Sequence, residues 1–362
     1  MLFPYIYVPH QMEKMQEFID FIFYAVWCKA RKRGKYGLHL FAANAKLYAV
    51  IKKFHYSDTK GAYFFNRNIE SIYKEFQNRS PYEIRRIQRW YKGNNDVEWV
   101  CANDPRAHLA KYEDIKKVFP DLEELIGSFF KGLYDRLDIA ALKDKIGDID
   151  SHYDEFVKKN DAGKCPFCGL NDLLTEYNSK REAYDHYLPK ALYPFNSTNF
   201  RNLVPACHHC NSSYKSSKDP AYTPKDPAKE VKRRAVFYPF KATAHSIDLQ
   251  ITLQHSDITR LTPEDITLQF GPAVIAEEID TWKDVYGIEE RYTSKLCGKN
   301  DGKYWLTQIL DEWKQDGRRP ADFLKTLARH TQMQPYADCN FLRRPFLEAF
   351  QRMGVFDEAN QT

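Results

Sequence analysis

The most informative part of the sequence lies between Cys165 and Lys218 and reads CPFCGLNDLLTEYNSKREAYDHYLPKALYPFNSTNFRNLVPACHHCNSSYKSSK. It contains two Cys-x-x-Cys pairs separated by 38 residues, and the four cysteines are Cys165, Cys168, Cys207 and Cys210. Four thiolates in two such pairs are typical ligands of a structural Zn²⁺ ion with tetrahedral coordination. The separation is longer than a compact zinc ribbon needs, so the sequence predicts one zinc site with an insert between its cysteine pairs.

The insert and the second cysteine pair are predicted to form two short strands followed by a helix. Residues 184–188 alternate in polarity and end at Pro189, which is typical of a short strand. Residues 191–201 are rich in turn-forming side chains and predict a loop, after which 202–205 favour a second strand. The polar segment 208–218 can form a short helix that ends before the next Asp-Pro dipeptide.

These residues resemble the HNH, or ββα-metal, endonuclease family in its zinc-stapled form. The matching positions are Asp185 and His186 on the first strand, Asn202 at the start of the second and Asn211 at the start of the helix. The resemblance covers roughly residues 160–220, a minority of the chain, and the last position is Asn rather than His. It implies metal-dependent hydrolysis of phosphodiester bonds in nucleic acid.

The chemistry of that reaction suits the same side chains. Hydrolysis needs an activated water and stabilisation of charge on the phosphate and the leaving oxygen. A neutral imidazole accepts a proton well near pH 7, so His186 is the predicted general base. Asp185 and Asn211 offer oxygen ligands for Mg²⁺ or Mn²⁺, and Asn202 is expected to tie the loop to the backbone and to hold His186. Adjacent strand residues point to opposite faces, so Asp185 and His186 need a local twist to share one site.

Each of these residues also has an ordinary structural explanation when it is considered alone. Asp185 fits a surface turn, His186 a half-buried packing position, Asn202 a turn and Asn211 a helix N-cap. The competing functional class is a non-catalytic zinc module that binds nucleic acid or a protein partner. That class explains the cysteines and the charge, but it does not explain Asp185-His186 in register with Asn211.

Positive charge is concentrated in two parts of the chain. The net charge is +5; residues 1–100 carry 17 Lys and Arg against 9 Asp and Glu, and residues 164–234 carry 12 against 7. Such a distribution favours contact with a phosphate backbone, although a solvated basic face produces the same pattern. The cations predicted to contact nucleic acid are Lys190, Arg201, Lys215, Lys218, Lys232, Arg233 and Arg234. DNA is the expected substrate, and RNA remains an alternative.

The composition indicates a folded protein of the reducing cytoplasm. The chain has 362 residues, of which 43% are hydrophobic, and four of its eight cysteines are isolated from one another in sequence. This pattern fits a zinc site better than a disulfide framework. The start lacks a basic region typical of a secretory signal, and the apolar run 21–27 is too short to cross a bilayer, so no membrane association is expected.

The predicted fold class is α+β with three domains. Residues 1–159 are predicted to form a mostly helical domain, 160–234 the zinc-bound nuclease module with a basic linker, and 235–362 a small antiparallel sheet covered by helices. Alternating apolar residues predict strands near 246–254 and 266–270, and 235–240 is a candidate third strand. The predicted helices are 11–31, 39–54, 68–77, 81–92, 111–118, 121–146, 150–159, 276–293, 303–315, 320–331 and 341–353.

Together these features predict a metal-dependent endonuclease with a structural Zn²⁺ and a catalytic Mg²⁺ or Mn²⁺. The resemblance also implies a bacterial or phage setting, where such nucleases often serve restriction or anti-phage defence. One ββα site cuts one strand at a time, so double-strand cleavage would need a homodimer or two successive nicks. The large flanking regions favour a regulatory protein partner.

Overall fold

The computed structural model describes residues 1–161, 163–242 and 244–357 and has an α+β fold. Within those ranges most of the regular structure is helical, and the strands form two antiparallel pairs. No helix in the described part of the chain is both long and apolar enough to cross a membrane. The contacts divide the chain into two compact units, the larger formed by Tyr5–Ala162 and Leu174–Lys241 and the smaller by Met1–Pro4, Gly163–Leu173 and Ala242–Thr362.

The larger unit is mainly helical. Its α-helices are α1 Lys14–Phe21, α2 Ala30–Arg33, α3 Ala45–His55, α4 Lys60–Gln77, α5 Pro81–Asn95, α6 Val97–Cys101, α7 Tyr112–Lys116, α8 Pro120–Leu133, α9 Ala140–Ile146 and α10 Ile149–Asn160. A π-helical segment, Ile22–Trp27, continues α1, and short 3₁₀ turns occur at Gln11–Glu13, Leu38–Phe41 and Tyr134–Arg136.

Capping and aromatic packing fix these helices. Helix α5 begins with Pro81 at its first position, and Ser80 and Glu83 form a capping box that satisfies two backbone N–H groups at the helix start. The Trp27 ring is fully buried, and its indole Nε1 donates to the Ile69 carbonyl at 3.0 Å. Burial of large aromatic side chains with a satisfied polar atom is a strong stabilising element in a helical core.

Residues 184–215 contain a two-stranded antiparallel sheet and a helical turn, all in the larger unit. Strand β1, Tyr184–His186, pairs with β2, Leu203–Pro205, so that Asp185 lies opposite Val204 and His186 opposite Leu203. The chain then forms a π-helical turn over His209–Lys215. The predicted order of strand, loop, strand and helix is therefore present, with elements shorter than the sequence indicated.

Helix α5 anchors the loop between the two strands. The buried Asn94 side chain donates to the carbonyls of Ala110 and Pro194, at 2.8 and 3.0 Å. The Asn196 amide donates in return to the Asn94 carbonyl at 3.1 Å. Buried backbone groups of a loop need such partners because water cannot reach them. The loop is therefore fixed to the helical part of the unit, and with it the position of Ser197.

The smaller unit combines a hairpin with helices. Strand β3, Asp248–Leu253, pairs with β4, Ile266–Gly271, and the helices are α11 Ala276–Tyr286, α12 Ile288–Cys297, α13 Gly302–Asp316, α14 Pro320–Met333 and α15 Asn340–Arg352. The turn that carries the first cysteine pair packs within this unit. Trp282 Nε1 donates to the Phe167 carbonyl at 2.7 Å, and the Tyr292 hydroxyl donates to the Cys168 carbonyl at 2.9 Å.

Three details differ from the sequence-based expectations. The helix predicted over 121–146 is interrupted between α8 and α9, and the one over 276–293 is two helices that meet at Gly287, whose φ of 58° is a left-handed conformation suited to glycine. Residues 235–240 are irregular, so the third strand predicted there is absent from this described segment. The three-domain division at 159 and 234 stays a prediction.

Candidate functional site

The four predicted zinc ligands lie together. The sulfur atoms of Cys165, Cys168, Cys207 and Cys210 are all within 4.8 Å of one another, and all four residues are buried. Tetrahedral coordination with a Zn–S bond of about 2.3 Å places sulfurs about 3.8 Å apart, which this cluster can reach with small adjustments. The donor set is that of a closed structural zinc site, with no position left for a water.

The first cysteine pair is held in a tight turn that presents both sulfurs. The backbone N–H groups of Cys168 and Gly169 donate to the Cys165 carbonyl, at 3.3 and 2.7 Å. Gly169 has φ of 67°, and a Cβ added there would come within 2.5 Å of the Leu2 side chain. A larger residue at this position would therefore strain the turn in both backbone and packing.

A second candidate site is a cleft of about 370 Å³ beside strand β1. Its lining includes Asp185, His186, Lys190, Asn211 and Ser212. The structure thus brings together three of the four residues predicted to serve catalysis. They come from the first strand and from the helical turn, whose ends meet at this cleft.

His186 has a defined tautomer. Its ring Nε2 lies 3.0 Å from the Ser197 carbonyl, which can only accept, so Nε2 carries the proton. The other ring nitrogen, Nδ1, then holds the lone pair and has no hydrogen bond within the described part of the chain. Burial lowers the pKa of His186 to about 3, with a further lowering from the Lys190 charge. The imidazole is therefore neutral at pH 7, the form that can accept a proton.

Asp185 is buried and forms an ion pair with a buried lysine. The Lys215 ammonium lies 2.8 Å from Asp185 Oδ1 and also donates to the His186 carbonyl at 2.8 Å. The exposed fractions of the two charged side chains are 0% for Lys215 and 3% for Asp185. Burial raises the pKa of Asp185, and the Lys215 charge opposes that shift. Asp185 Oδ2 is buried without a hydrogen-bond partner among the described residues.

Asn202 forms buried hydrogen bonds to the backbone at the end of strand β1. Its side-chain oxygen accepts from the Leu188 N–H at 2.7 Å, and its amide nitrogen donates to the Leu188 carbonyl at 3.1 Å. The same amide nitrogen lies 3.4 Å from the Asn196 carbonyl. Asn202 therefore ties the strand end to the loop that carries Ser197 and holds His186 indirectly. It is fully buried and does not line the cleft.

Asp185 and His186 are adjacent in strand β1, and their side chains contact different elements on either side of the strand. Asp185 meets Lys215 on the helical turn, whereas His186 meets Ser197 on the loop and packs edge-on against Tyr134 with ring centroids 4.7 Å apart. The two side chains thus leave the strand in different directions, as alternation requires, while both still border the cleft.

The predicted nucleic-acid contacts fall into two groups. Lys218 and Lys232 are exposed, Arg201 is exposed over the Tyr7 ring, and Lys190 is half-buried beside Asp135 at 2.9 Å. Lys215, Arg233 and Arg234 instead form contacts within the protein. This placement corrects the expectation that they contact nucleic acid. Lys215 holds Asp185, and the two guanidinium groups donate to backbone carbonyls: Val100, Asp104 and Ala107 for Arg233, and Asp219 and Pro220 for Arg234.

The sequence reasoning missed the residues that support the site. The basic side chain of Lys215 predicts a phosphate contact, yet it is buried in the structure by its bonds to Asp185 and to the His186 carbonyl. Ser197 and Tyr134, which contact the His186 ring, carried no signal, because one contributes only a backbone carbonyl and the other comes from a distant segment.

Two known proteins are similar to parts of this chain. Protein ea31 of Escherichia phage lambda is 35% identical over 91 residues, which are 25% of this chain and 28% of that protein. Septu protein PtuB of Bacillus thuringiensis is 36% identical over 64 residues, 17% of this chain and 24% of that protein. The chain thus spans about a quarter of the length of these relatives. No known family profile matches the sequence, and no solved structure matches it.

Proposed function

We propose that the chain is a metal-dependent endonuclease of the HNH type that hydrolyses phosphodiester bonds, with DNA as its substrate. The observation that carries the proposal is the pairing, at one cleft, of a neutral His186 with an unpartnered carboxylate oxygen of Asp185. The first is a suitable base and the second a suitable ligand, and in sequence both lie between the two cysteine pairs.

His186 is the proposed general base. With Nε2 committed to the Ser197 carbonyl, Nδ1 takes the proton from the attacking water, while the new bond forms between the water oxygen and phosphorus and the bond to the leaving oxygen breaks. The hydrogen bond to Ser197 also stabilises the imidazolium produced, since the carbonyl dipole favours a protonated ring. The Tyr134 ring packs edge-on against the imidazole.

The residues present fit a hard divalent cation. Asp185 contributes the buried oxygen Oδ2, and Asn211 contributes a neutral amide oxygen at the same cleft. Mg²⁺ is usually held by one or two protein oxygens together with waters and substrate phosphates. When bound, the cation supplies charge stabilisation at the phosphate and the leaving oxygen. Lys215 favours the ionised form of Asp185 against the effect of burial and orients the carboxylate, because its ammonium is bonded to the other oxygen.

Two further observations support nucleic acid and a bacterial or phage setting. Exposed cations, Lys218 and Lys232, follow the helical turn, and the net charge of the chain is +5. The partial similarity to protein ea31 of phage lambda and to Septu protein PtuB is compatible with a role in restriction or anti-phage defence. Because one such site cuts one strand at a time, a regulatory partner or a homodimer would account for cleavage of both DNA strands.

The test compares His186→Ala with His209→Ala in a plasmid-nicking assay with Mg²⁺ and with Mn²⁺. His209 is exposed and does not line the cleft, so it is the matched control. Loss of a general base costs on the order of 10²–10⁴ in rate, so His186→Ala should stop visible nicking while zinc content and melting temperature stay near wild type. His209→Ala should nick normally.

Two outcomes would count against the proposal. Normal nicking by His186→Ala, with His209→Ala inactive, would mean that the base lies on the helical turn. No nicking by the wild-type protein with either metal, together with intact DNA binding, would favour the non-catalytic zinc module that the four clustered cysteines equally allow.

A further inference from the structure

Helix α5 carries a basic stripe that the proposed active site does not use. Tyr82, Arg85, Arg89 and Lys92 follow one another at intervals of three, four and three residues, and all four are exposed. This spacing places them on one face of a helix. The opposite face is buried and contains Ile84, Ile87, Tyr91 and Asn94. The stripe is therefore the outer surface of a helix whose inner face is already committed to the core.

The cations of the stripe form no ion pair with any residue that the structure describes. In the described ranges of the chain, Arg85, Arg89 and Lys92 form no ion pair, whereas Arg79, just before the helix, is paired with Glu75 at 2.7 Å. Exposed cations without an ion-pair partner keep much of their attraction for an external anion. Lys92 and Tyr24 also line a neighbouring pocket that contains Asp20, Asp96 and Glu98, so Arg85 and Arg89 carry most of that attraction. The run from Tyr82 to Lys92 rises by about 15 Å along the helix axis.

The stripe borders a groove rather than a flat surface. A cavity of about 580 Å³ is lined by Tyr24, Tyr82, Arg85, Gln88, Arg89 and Lys92. No acidic side chain is among these residues. The two tyrosines are exposed, with exposed fractions of 63% for Tyr82 and 40% for Tyr24. We refer to these six residues as the α5 groove.

We propose that the α5 groove binds an unpaired nucleic-acid strand, a proposal that rests on the proposed nuclease function and adds a binding site for a single strand outside the cleft. Arg85, Arg89 and Lys92 contact successive phosphates, and the rings of Tyr24 and Tyr82 stack on bases. Alternation of cations with aromatic faces is what single-strand binding needs, because bases are available for stacking only when they are unpaired. A duplex hides its base faces and would use the cations alone.

The test measures binding rather than cleavage. An absence of catalysis therefore cannot be mistaken for an absence of strand binding by the α5 groove. Fluorescence anisotropy is recorded with a labelled oligo(dT) strand and with a duplex of equal length. The protein is the intact chain in the His186→Ala background without added divalent cations. The variant is Arg85→Gln/Arg89→Gln/Lys92→Gln. The control is Lys46→Gln/Lys52→Gln/Lys60→Gln, which removes the same charge from exposed positions on α3 and at the start of α4.

The expected result has two parts. The α5 variant should bind oligo(dT) more weakly, and the slope of log affinity against log salt should become shallower by about 2, from three phosphate contacts at about 0.7 each. The control should keep a slope near that of the starting protein. Equal weakening by both triple variants would overturn the proposal, because the effect would then come from net charge alone.

A second variant tests the aromatic part independently of charge. Tyr82→Leu keeps an apolar side chain on the stripe but removes the ring, and it should weaken oligo(dT) binding by about fivefold or more. Duplex binding should be unchanged. Equal losses on strand and duplex, or tighter binding of the duplex than of the strand by the starting protein, would overturn the assignment to an unpaired strand. Because Tyr82 is exposed, the substitution should not disturb folding, and its melting temperature checks this.

Discussion

Replacing Lys215 by Met is the sharpest structural test of the site. The change removes the ammonium that bonds to Asp185 Oδ1 and to the His186 carbonyl, each at 2.8 Å, and it nearly preserves side-chain volume. Asp185 would then be an ionised carboxylate at 2% exposure without a counter-charge. Removing one partner of a buried ion pair typically lowers the free energy of unfolding by about 3–5 kcal/mol.

The assay is urea unfolding of wild type and variant at a fixed concentration of free zinc. The matched control is Lys53→Met, which breaks an ion pair with Asp144 at 3.0 Å whose partners are 54% and 59% exposed. An exposed pair contributes about 0–1 kcal/mol, so the control should be nearly neutral. The double variant Lys215→Met/Asp185→Asn removes both charges and should recover much of the lost stability.

The pH dependence gives an internal check. Burial already raises the pKa of Asp185, and loss of Lys215 raises it further. A carboxyl group whose pKa is raised in the folded state binds more protons there, so its destabilising effect grows with pH. The deficit of Lys215→Met should therefore shrink as the pH falls from about 8 toward the unfolded-state pKa of an aspartate, about 3.9. A deficit below about 1 kcal/mol at pH 8, or no recovery in the double variant, would refute the buried-pair reasoning.

Two further predictions follow from the clustered cysteines and from a buried histidine. Cys207→Ser should remove one thiolate, so metal analysis should fall from about one zinc per chain and the melting temperature should drop; a zinc-free variant that stays fully folded would contradict this. The side chain of His152 is buried, with 3% exposure, and its pKa is lowered to about 4 mainly by burial and secondarily by His10. As the pH falls, His152 is therefore protonated in the unfolded chain before it is protonated in the folded protein. Stability should fall as pH drops through about 6.5, by about 2 kcal/mol at pH 5 from this residue. His152→Asn should show a shallower fall, measured as the difference from wild type so that acid release of zinc cancels; equal slopes would contradict the assignment.

Local patterns in the sequence were enough to place most of the regular elements. Helix α5 is an example, since Ser80, Pro81 and Glu83 determine its start through contacts within one turn. The hairpin of β3 and β4 followed from strict alternation over both strands. The four zinc cysteines were predicted from spacing alone, and their sulfur atoms do lie within 4.8 Å of one another.

Helix interruptions were harder to predict from the sequence. The break at Gly287 depends on one left-handed residue between two helical patterns that continue in register. Periodicity averages over many residues and is insensitive to a single change of backbone direction. A glycine within an apolar repeat was a weak signal, because glycine is also tolerated inside helices.

The sequence by itself determined which chemical groups are available: thiolates for zinc, an Asp-His pair, and amides at the right intervals. Only the tertiary structure determined the tautomer, the ionisation and the exposure of these groups. In the folded protein, Nε2 of His186 donates a hydrogen bond to the carbonyl of Ser197, which is eleven residues away in sequence. Lys215, a basic residue expected at the surface, is buried in an ion pair with Asp185. The physical reason is that tautomer, ionisation and exposure depend on the atoms that surround a group, and those atoms are brought from distant parts of the chain only when it folds.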